Sequence, residues 1–145
     1  MAPDTHRAAL QALVRAYEQL APDNLAQMAR CYAPDARFKD PFNEVQGWPA
    51  IERIFAHMFQ TLQQPRFVVT QQVLEGEQAF LTWDFHFARG RAGTPHTIRG
   101  ASQLVFNAQG QVLLHRDYWD AAEELYEHLP LIGALMRWLK RQLRA

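Results

Sequence analysis

At about residue 63 the chain changes its hydrophobic period from that of a helix to that of a strand, and this change limits the folds open to it. Four runs, "RFVVTQQVLEG", "EQAFLTWDFHFARG", "HTIRGASQLVFNAQG" and "QVLLHRDYWD", fill residues 66–120 almost without a break. Gly76, Gly90 with Gly93, and the turn "NAQG" at 107–110 separate them. Strand-like runs joined by short glycine turns read as successive antiparallel hairpins. Upstream, Leu10, Leu13, Val14, Tyr17 and Leu20 recur at helical spacing. A second helix is expected behind an Asp23 or Asn24 cap, with Leu25, Met28, Ala29 and Tyr32 on one face. "ARFKD" reads as a short strand. Gly47-Trp48-Pro49 opens a third helix, Ala50 to Leu62, since proline suits a first turn. Beyond Asp120 the helical pattern returns in "AAEELYEHL" and then from Pro130 to about Leu143. Helices segregated from a run of antiparallel strands define the α+β class.

Alternation assigns the faces. Leu81, Trp83, Phe85 and Phe87 are expected inward, and so are Ile98, Gly100, Ser102, Leu104 and Phe106, with Ser102 the polar member. The last strand is ambiguous. Trp119 favours an inward set of Leu113, His115, Asp117 and Trp119, whereas Val112 and Leu114 favour the other set, and a bulge would shift the register.

The chain has 145 residues, of which 48% are hydrophobic and 21% charged, which suits one globular domain with a sizeable core. Fifteen basic and fifteen acidic residues cancel, which removes the electrostatic reason to expect a nucleic-acid partner. The lone Cys31 allows no intrachain disulfide and is read as a buried structural thiol. The N-terminus carries no signal-peptide pattern, and "LPLIGALM", the longest apolar run, is too short to span a bilayer. A cytoplasmic protein is the expectation.

Asp40 stands out because Phe38, Phe42 and Trp48 surround it in sequence. A carboxylate among apolar groups is either the working group, with a pKa raised by burial, or an Asx-type residue ending a strand before Pro41. His115 and Asp117, two apart on a strand, lie about 6.5–7 Å apart at Cα on one face and can address one ligand. They either form an acid–base pair or sit outward. Asp40, His115 and Asp117 are too few to expect a zinc site, so neither metal nor cofactor is expected.

Taken together, the first helix with Tyr17, "MARCYAPDARFKDPF", "GWPAIERIF" and "LVFNAQGQVLLHRDYW" resemble the nuclear-transport-factor-2-like superfamily, the SnoaL-like or ketosteroid-isomerase-like group, over residues about 6–120. The resemblance implies a strongly curved antiparallel sheet wrapped around N-terminal helices, a cone with an apolar pocket at its wide end. Residues about 121–145 form an extra helical extension within a single domain spanning 1–145. It places Asp40 at the isomerases' general-base aspartate and Tyr17 near their hydrogen-bond-donating tyrosine. Trp119 falls at a pocket-lining aromatic, and Phe55 replaces a supporting tyrosine. Ser102 occupies the position of the second oxyanion donor, a protonated aspartic acid in ketosteroid isomerase; a serine there is a weaker donor. His115 and Asp117 resemble the inward acid or base of SnoaL-like cyclases and dehydratases.

These observations lead to two expectations. One is an isomerase, cyclase or dehydratase acting on an apolar carbonyl compound, steroid- or polyketide-like, with Asp40 as base, Tyr17 and Ser102 as donors, and His115 with Asp117 as a second acid–base pair. Trp119, Trp83, Phe85, Phe38, Phe55, Phe59, Met58 and Tyr32 would line its pocket. The other is a non-catalytic member that binds a hydrophobic molecule or a protein. A homodimer is expected. The C-terminal helix, with Leu131, Leu135, Trp138 and Leu139 beside Arg137, Lys140, Arg141 and Arg144, is expected to pack over the sheet or the pocket mouth, in one subunit or in a dimer. That is preferred to lying on a membrane surface, which its composition also suits.

Overall fold

A computed structural model describes residues 3–124 and 130–144. Helix α1 spans Pro3–Glu18, and a 3-10 helix comes after it at Leu25–Cys31. Strands β1 (Tyr32–Lys39) and β2 (Glu44–Gln46) precede helix α2 (Trp48–Thr61). Strands β3 (Gln63–Glu75), β4 (Gln78–Arg89), β5 (Thr94–Phe106) and β6 (Val112–Tyr118) come next, then helices α3 (Ala121–Glu124) and α4 (Pro130–Leu143). The short helix expected over 121–129 is described only to Glu124; its remainder lies outside the described residues.

The strands form one sheet in the order β2-β1-β6-β5-β4-β3. All neighbours are antiparallel except β1 and β6, which run parallel. The α+β class and the curved sheet of the cone fold are therefore present. Helices α1 and α2 close the concave side: Leu10, Leu13, Val14 and Tyr17 of α1 and Ile51 and Phe55 of α2 are buried with the inward residues of β4 and β5. Leu81, Trp83, Phe85, Phe87, Ile98, Ser102, Leu104 and Phe106 are all buried, as alternation requires.

The second helix differs from expectation in type. The Asn24 side chain accepts from the Ala21 amide at 2.8 Å and donates to the Gln19 carbonyl at 2.7 Å. It is thereby spent on the preceding loop and caps nothing, and the segment winds as a 3-10 helix. Its Cys31 is only partly buried, although burial still pushes the thiol pKa up. "ARFKD" belongs to a longer strand that begins at Tyr32.

The ambiguity in β6 is resolved by a bulge. Phe106 pairs with Val112 but Val105 pairs with Leu114, so Leu113 is an extra residue. One extra residue flips the parity of every later position in the strand. Val112 and His115 are consequently both buried, while Leu113 is exposed. Neither alternating set proposed for this strand is inward as a whole.

Candidate functional site

The bulge brings His115 onto the concave face, where β5 places Ser102 opposite Asp117 and Leu104 opposite His115. His115 is 3% exposed. Its ring meets Phe38 edge-on at 4.8 Å and stacks near Tyr32 at 6.1 Å between centroids. Such a ring needs partners for both nitrogens, because a buried polar atom left unpaired costs about 1–3 kcal/mol.

Both partners are present. Nε2 lies 2.6 Å from Asp117 Oδ1. Nδ1 lies 2.8 Å from the Tyr32 hydroxyl and 3.0 Å from the Tyr17 hydroxyl, and the two hydroxyls are 2.6 Å apart. Ser102 donates to the same Asp117 Oδ1 at 2.5 Å and accepts from the Trp83 indole N–H at 2.8 Å.

Donor and acceptor counting orients this chain. An indole N–H only donates, so Ser102 Oγ accepts it and sends its own hydrogen to Asp117. Burial holds both tyrosine hydroxyls well above their usual pKa, so both are neutral donors. A neutral imidazole with hydrogen on Nε2 then satisfies every group: one tyrosine donates to the other, the second donates to Nδ1, and Nε2–H donates to Asp117. Two branches of hydrogen bonds, one from Trp83 and one from the tyrosine pair, converge on Oδ1 of one carboxylate. Asp117 Oδ2 takes no hydrogen bond from the described residues.

Asp117, with 17% of its side chain exposed, also joins two cavities. A small one of about 20 Å³, room for about one water, is lined by Tyr17, Ser102, His115 and Asp117 on its polar side and by Phe55, Phe67, Val69 and Trp83 on its apolar side. A larger pocket of about 370 Å³ opens beyond it, within the size range of small-molecule sites. Phe55, Phe67, Trp83 and Asp117 border both.

The expected pocket residues divide. Phe38, Phe55, Met58, Trp83, Phe85 and Trp119 line the larger pocket. Phe59 does not; it packs, partly buried, against the core. Tyr32 does not either: it is 1% exposed and serves as the hydrogen-bond partner of His115. Phe67, Phe87 and Ile98 complete the apolar wall. Alternation marks Phe87 and Ile98 as inward without marking them as lining. The role of Tyr32 leaves no trace in the sequence, since its contacts with Tyr17 and His115 span 15 and 83 residues.

Asp40 borders the same pocket, but its carboxylate is engaged in the turn. Oδ1 accepts from the Phe42 amide at 2.8 Å and the Asn43 amide at 2.6 Å, and the Asn43 side-chain amide reaches both oxygens at 3.1 Å. This is the Asx arrangement that ends a strand. The turn presents Phe42, whose ring meets Trp119 edge-on at 5.5 Å. Tyr17 and Ser102 have their hydroxyl hydrogens committed within the network, so neither stands ready as an oxyanion donor. Among the described residues there is no cluster of three or more His, Cys, Asp or Glu able to hold a metal ion.

Comparisons with known proteins bear on the fold and the family. No curated protein matches the chain significantly. An NTF2-like protein of unknown function from Burkholderia pseudomallei superposes with a TM-score of 0.71 at 16% identity, over 85% of this chain and 95% of that one. TerC, crystallised with polyporic acid, gives 0.70 at 14% identity over 82% and 94%. A Mycobacterium tuberculosis epoxide hydrolase described as LEH-like gives 0.68 at 14% identity over 95% and 99%. At these identities the likeness is one of fold. The SnoaL-like domain model matches residues 13–115, more than half of the chain, from the second half of α1 to the buried histidine. The protein therefore belongs to the SnoaL-like family, within the NTF2-like superfamily.

Proposed function

We propose that this protein is a small-molecule enzyme of the isomerase, cyclase or dehydratase kind, acting on an apolar carbonyl compound, with Asp117 as its general base. The observation that carries this reading is the convergence of Ser102 and His115 on Asp117 Oδ1. Two donors on one oxygen fix the plane of the carboxylate, and the second oxygen remains for a substrate proton. The carboxylate does so at the edge of an apolar pocket. His115 orients the base, and Tyr32 with Tyr17 holds the imidazole in its Nε2–H form. A base positioned in this way typically contributes about 10²–10⁴ in rate.

Asp40, assigned as the base by family position, instead shapes the pocket wall that carries Phe42. Two relatives in fold suit a small-molecule pocket of this kind: one was crystallised with polyporic acid, and another is described as an epoxide hydrolase. The first test is exchange of α-protons for deuterium in a panel of cyclic enones, monitored by NMR. Catalysed exchange of at least one member supports the proposal. Saturable binding with no exchange across the panel would assign the pocket to ligand binding alone.

A further inference from the structure

The larger pocket carries its charges at two separated ends. Its charged side chains are Asp40, Asp117 and Arg89, with His57 and Thr61 near the end of α2 as its other polar members. By register the two acids lie level with each other. Asp117 pairs with Ser102 of β5, and Asp40 stands one residue past Lys39, which pairs with Arg116. Ser102 pairs in turn with Leu81 of β4. The β4–β5 ladder continues from Leu81 to Arg89 without a bulge, so Trp83, Phe85, Phe87 and Arg89 share one face. At about 3.3 Å per residue, Arg89 stands about 20 Å along the strand from Trp83. Gly90 and Gly93, both at positive φ, turn the chain just beyond it. Gln63 donates to the Gly90 carbonyl at 2.8 Å and ties this turn to the start of β3. Between the two ends the wall is apolar, with Phe85, Phe87 and Ile98. The Arg89 side chain is exposed at the far end and makes no hydrogen bond or ion pair among the described residues.

We propose that the substrate is an elongated apolar carbonyl compound with a carboxylate at its far end, received by Arg89 while the carbonyl end faces Asp117, which rests on the reading of Asp117 as the base. A guanidinium presents a planar fork of donors that matches a carboxylate bidentately. A few polar groups in an apolar pocket fix a ligand's direction as well as its identity. Here charge sets the direction: a carboxylate is drawn to Arg89 and repelled from the end that holds Asp40 and Asp117. The reverse orientation would put an anion beside two acids, with no cation in that part of the pocket wall. One cation suits a monoanion, which selects a carboxylate over a phosphate monoester with nearly two charges.

Calorimetric binding to the full chain of 3-oxocyclohexenyl alkanoic acids of graded chain length, each beside its methyl ester, tests this. Acids long enough to reach Arg89 are expected to bind about five- to ten-fold more tightly than their esters, and shorter acids no more tightly. The preference should shrink as salt is raised. Arg89→Gln should bring the acid-to-ester ratio to about one. Arg91→Gln, in the turn beyond and off the pocket wall, should leave the ratio as it is. Because the readout is binding, it does not depend on the base: an acid preference that Arg89→Gln removes, with no α-proton exchange, would sink the catalytic reading and keep this one. An acid preference absent at every length, or one that survives Arg89→Gln, overturns the proposal even if exchange is catalysed, and so does binding of neither series.

Discussion

The Nε2 of His115 lies 2.6 Å from Oδ1 of Asp117, two residues on along the same strand. In a regular strand such neighbours point the same way but stand about 6.5–7 Å apart at Cα, so the two side chains lean toward each other. Ser102 supports the carboxylate from the facing position on β5. The chemistry assigned to the pocket depends on this pairing.

The tyrosines behave as mutual substitutes. Either hydroxyl is within hydrogen-bond distance of His115 Nδ1, at 2.8 Å for Tyr32 and 3.0 Å for Tyr17. Tyr17→Phe leaves Tyr32 donating to the ring; Tyr32→Phe leaves Tyr17 to do so. Each single change should cost about 1 kcal/mol, the net value of one hydrogen bond. The double variant leaves Nδ1 buried with no donor and should cost about 1 kcal/mol more than the sum. Urea unfolding of the four proteins measures the difference, and strict additivity would show that only one tyrosine serves the histidine.

Stability should fall steeply in alkali. Burial raises the pKa of both Tyr17 and Tyr32 well above 10, and each also feels the charge of Asp117. Unfolded tyrosines titrate near 10. Below that pH both states keep the proton and these groups add no slope. Above it the unfolded chain binds fewer protons than the folded one, so unfolding becomes easier as pH rises, by about 1.4 kcal/mol per pH unit for each tyrosine. Cys31, also raised by burial, begins to add to this slightly earlier. Urea midpoints measured between pH 8 and 11.5 should show the fall, and Tyr17→Phe should remove about one tyrosine's share. An unchanged slope in that variant would mean that Tyr17 is not buried as a neutral group.

Gly100 should be intolerant of a side chain. It sits opposite Trp83 in the β4–β5 ladder, and an added Cβ would stand 2.6 Å from Trp83 Cζ2 and closer still to Cη2. The indole would have to move, and the Trp83–Ser102 hydrogen bond would go with it. Gly100→Ala is expected to cost about 1–3 kcal/mol, as overpacking does, and to lower activity through Ser102. Full stability with full activity in this variant would contradict the role given to Trp83.

Much of this was legible in the sequence. The alternation of Leu81, Trp83, Phe85 and Phe87 and of Ile98, Ser102 and Leu104 is a direct imprint of a half-buried sheet, and it places these residues correctly. The inward face of β6 was not legible, because one extra residue at Leu113 inverts the parity and nothing in the residue types marks it. Asp40 illustrates a different limit. Family position puts it beside the pocket, where it is, but does not tell whether its oxygens remain available. That depends on the amides of Phe42 and Asn43 closing a turn onto them. Tyr32 reads as part of the second helix but opens β1 instead, so the helical periodicity could not aim it at His115.

The central claim is that Asp117, not Asp40, removes the substrate proton. The direct measurement is the α-proton exchange rate of a responsive enone with Asp117→Asn and Asp40→Asn side by side. Asparagine at 117 can still accept from Ser102 and His115 through its carbonyl oxygen, so the fold should persist and the base alone is lost. The account predicts a fall of about 10²–10⁴ in rate for Asp117→Asn and a change of less than about ten-fold for Asp40→Asn. Unchanged exchange in Asp117→Asn together with loss in Asp40→Asn would contradict it and return the base to the strand-ending turn.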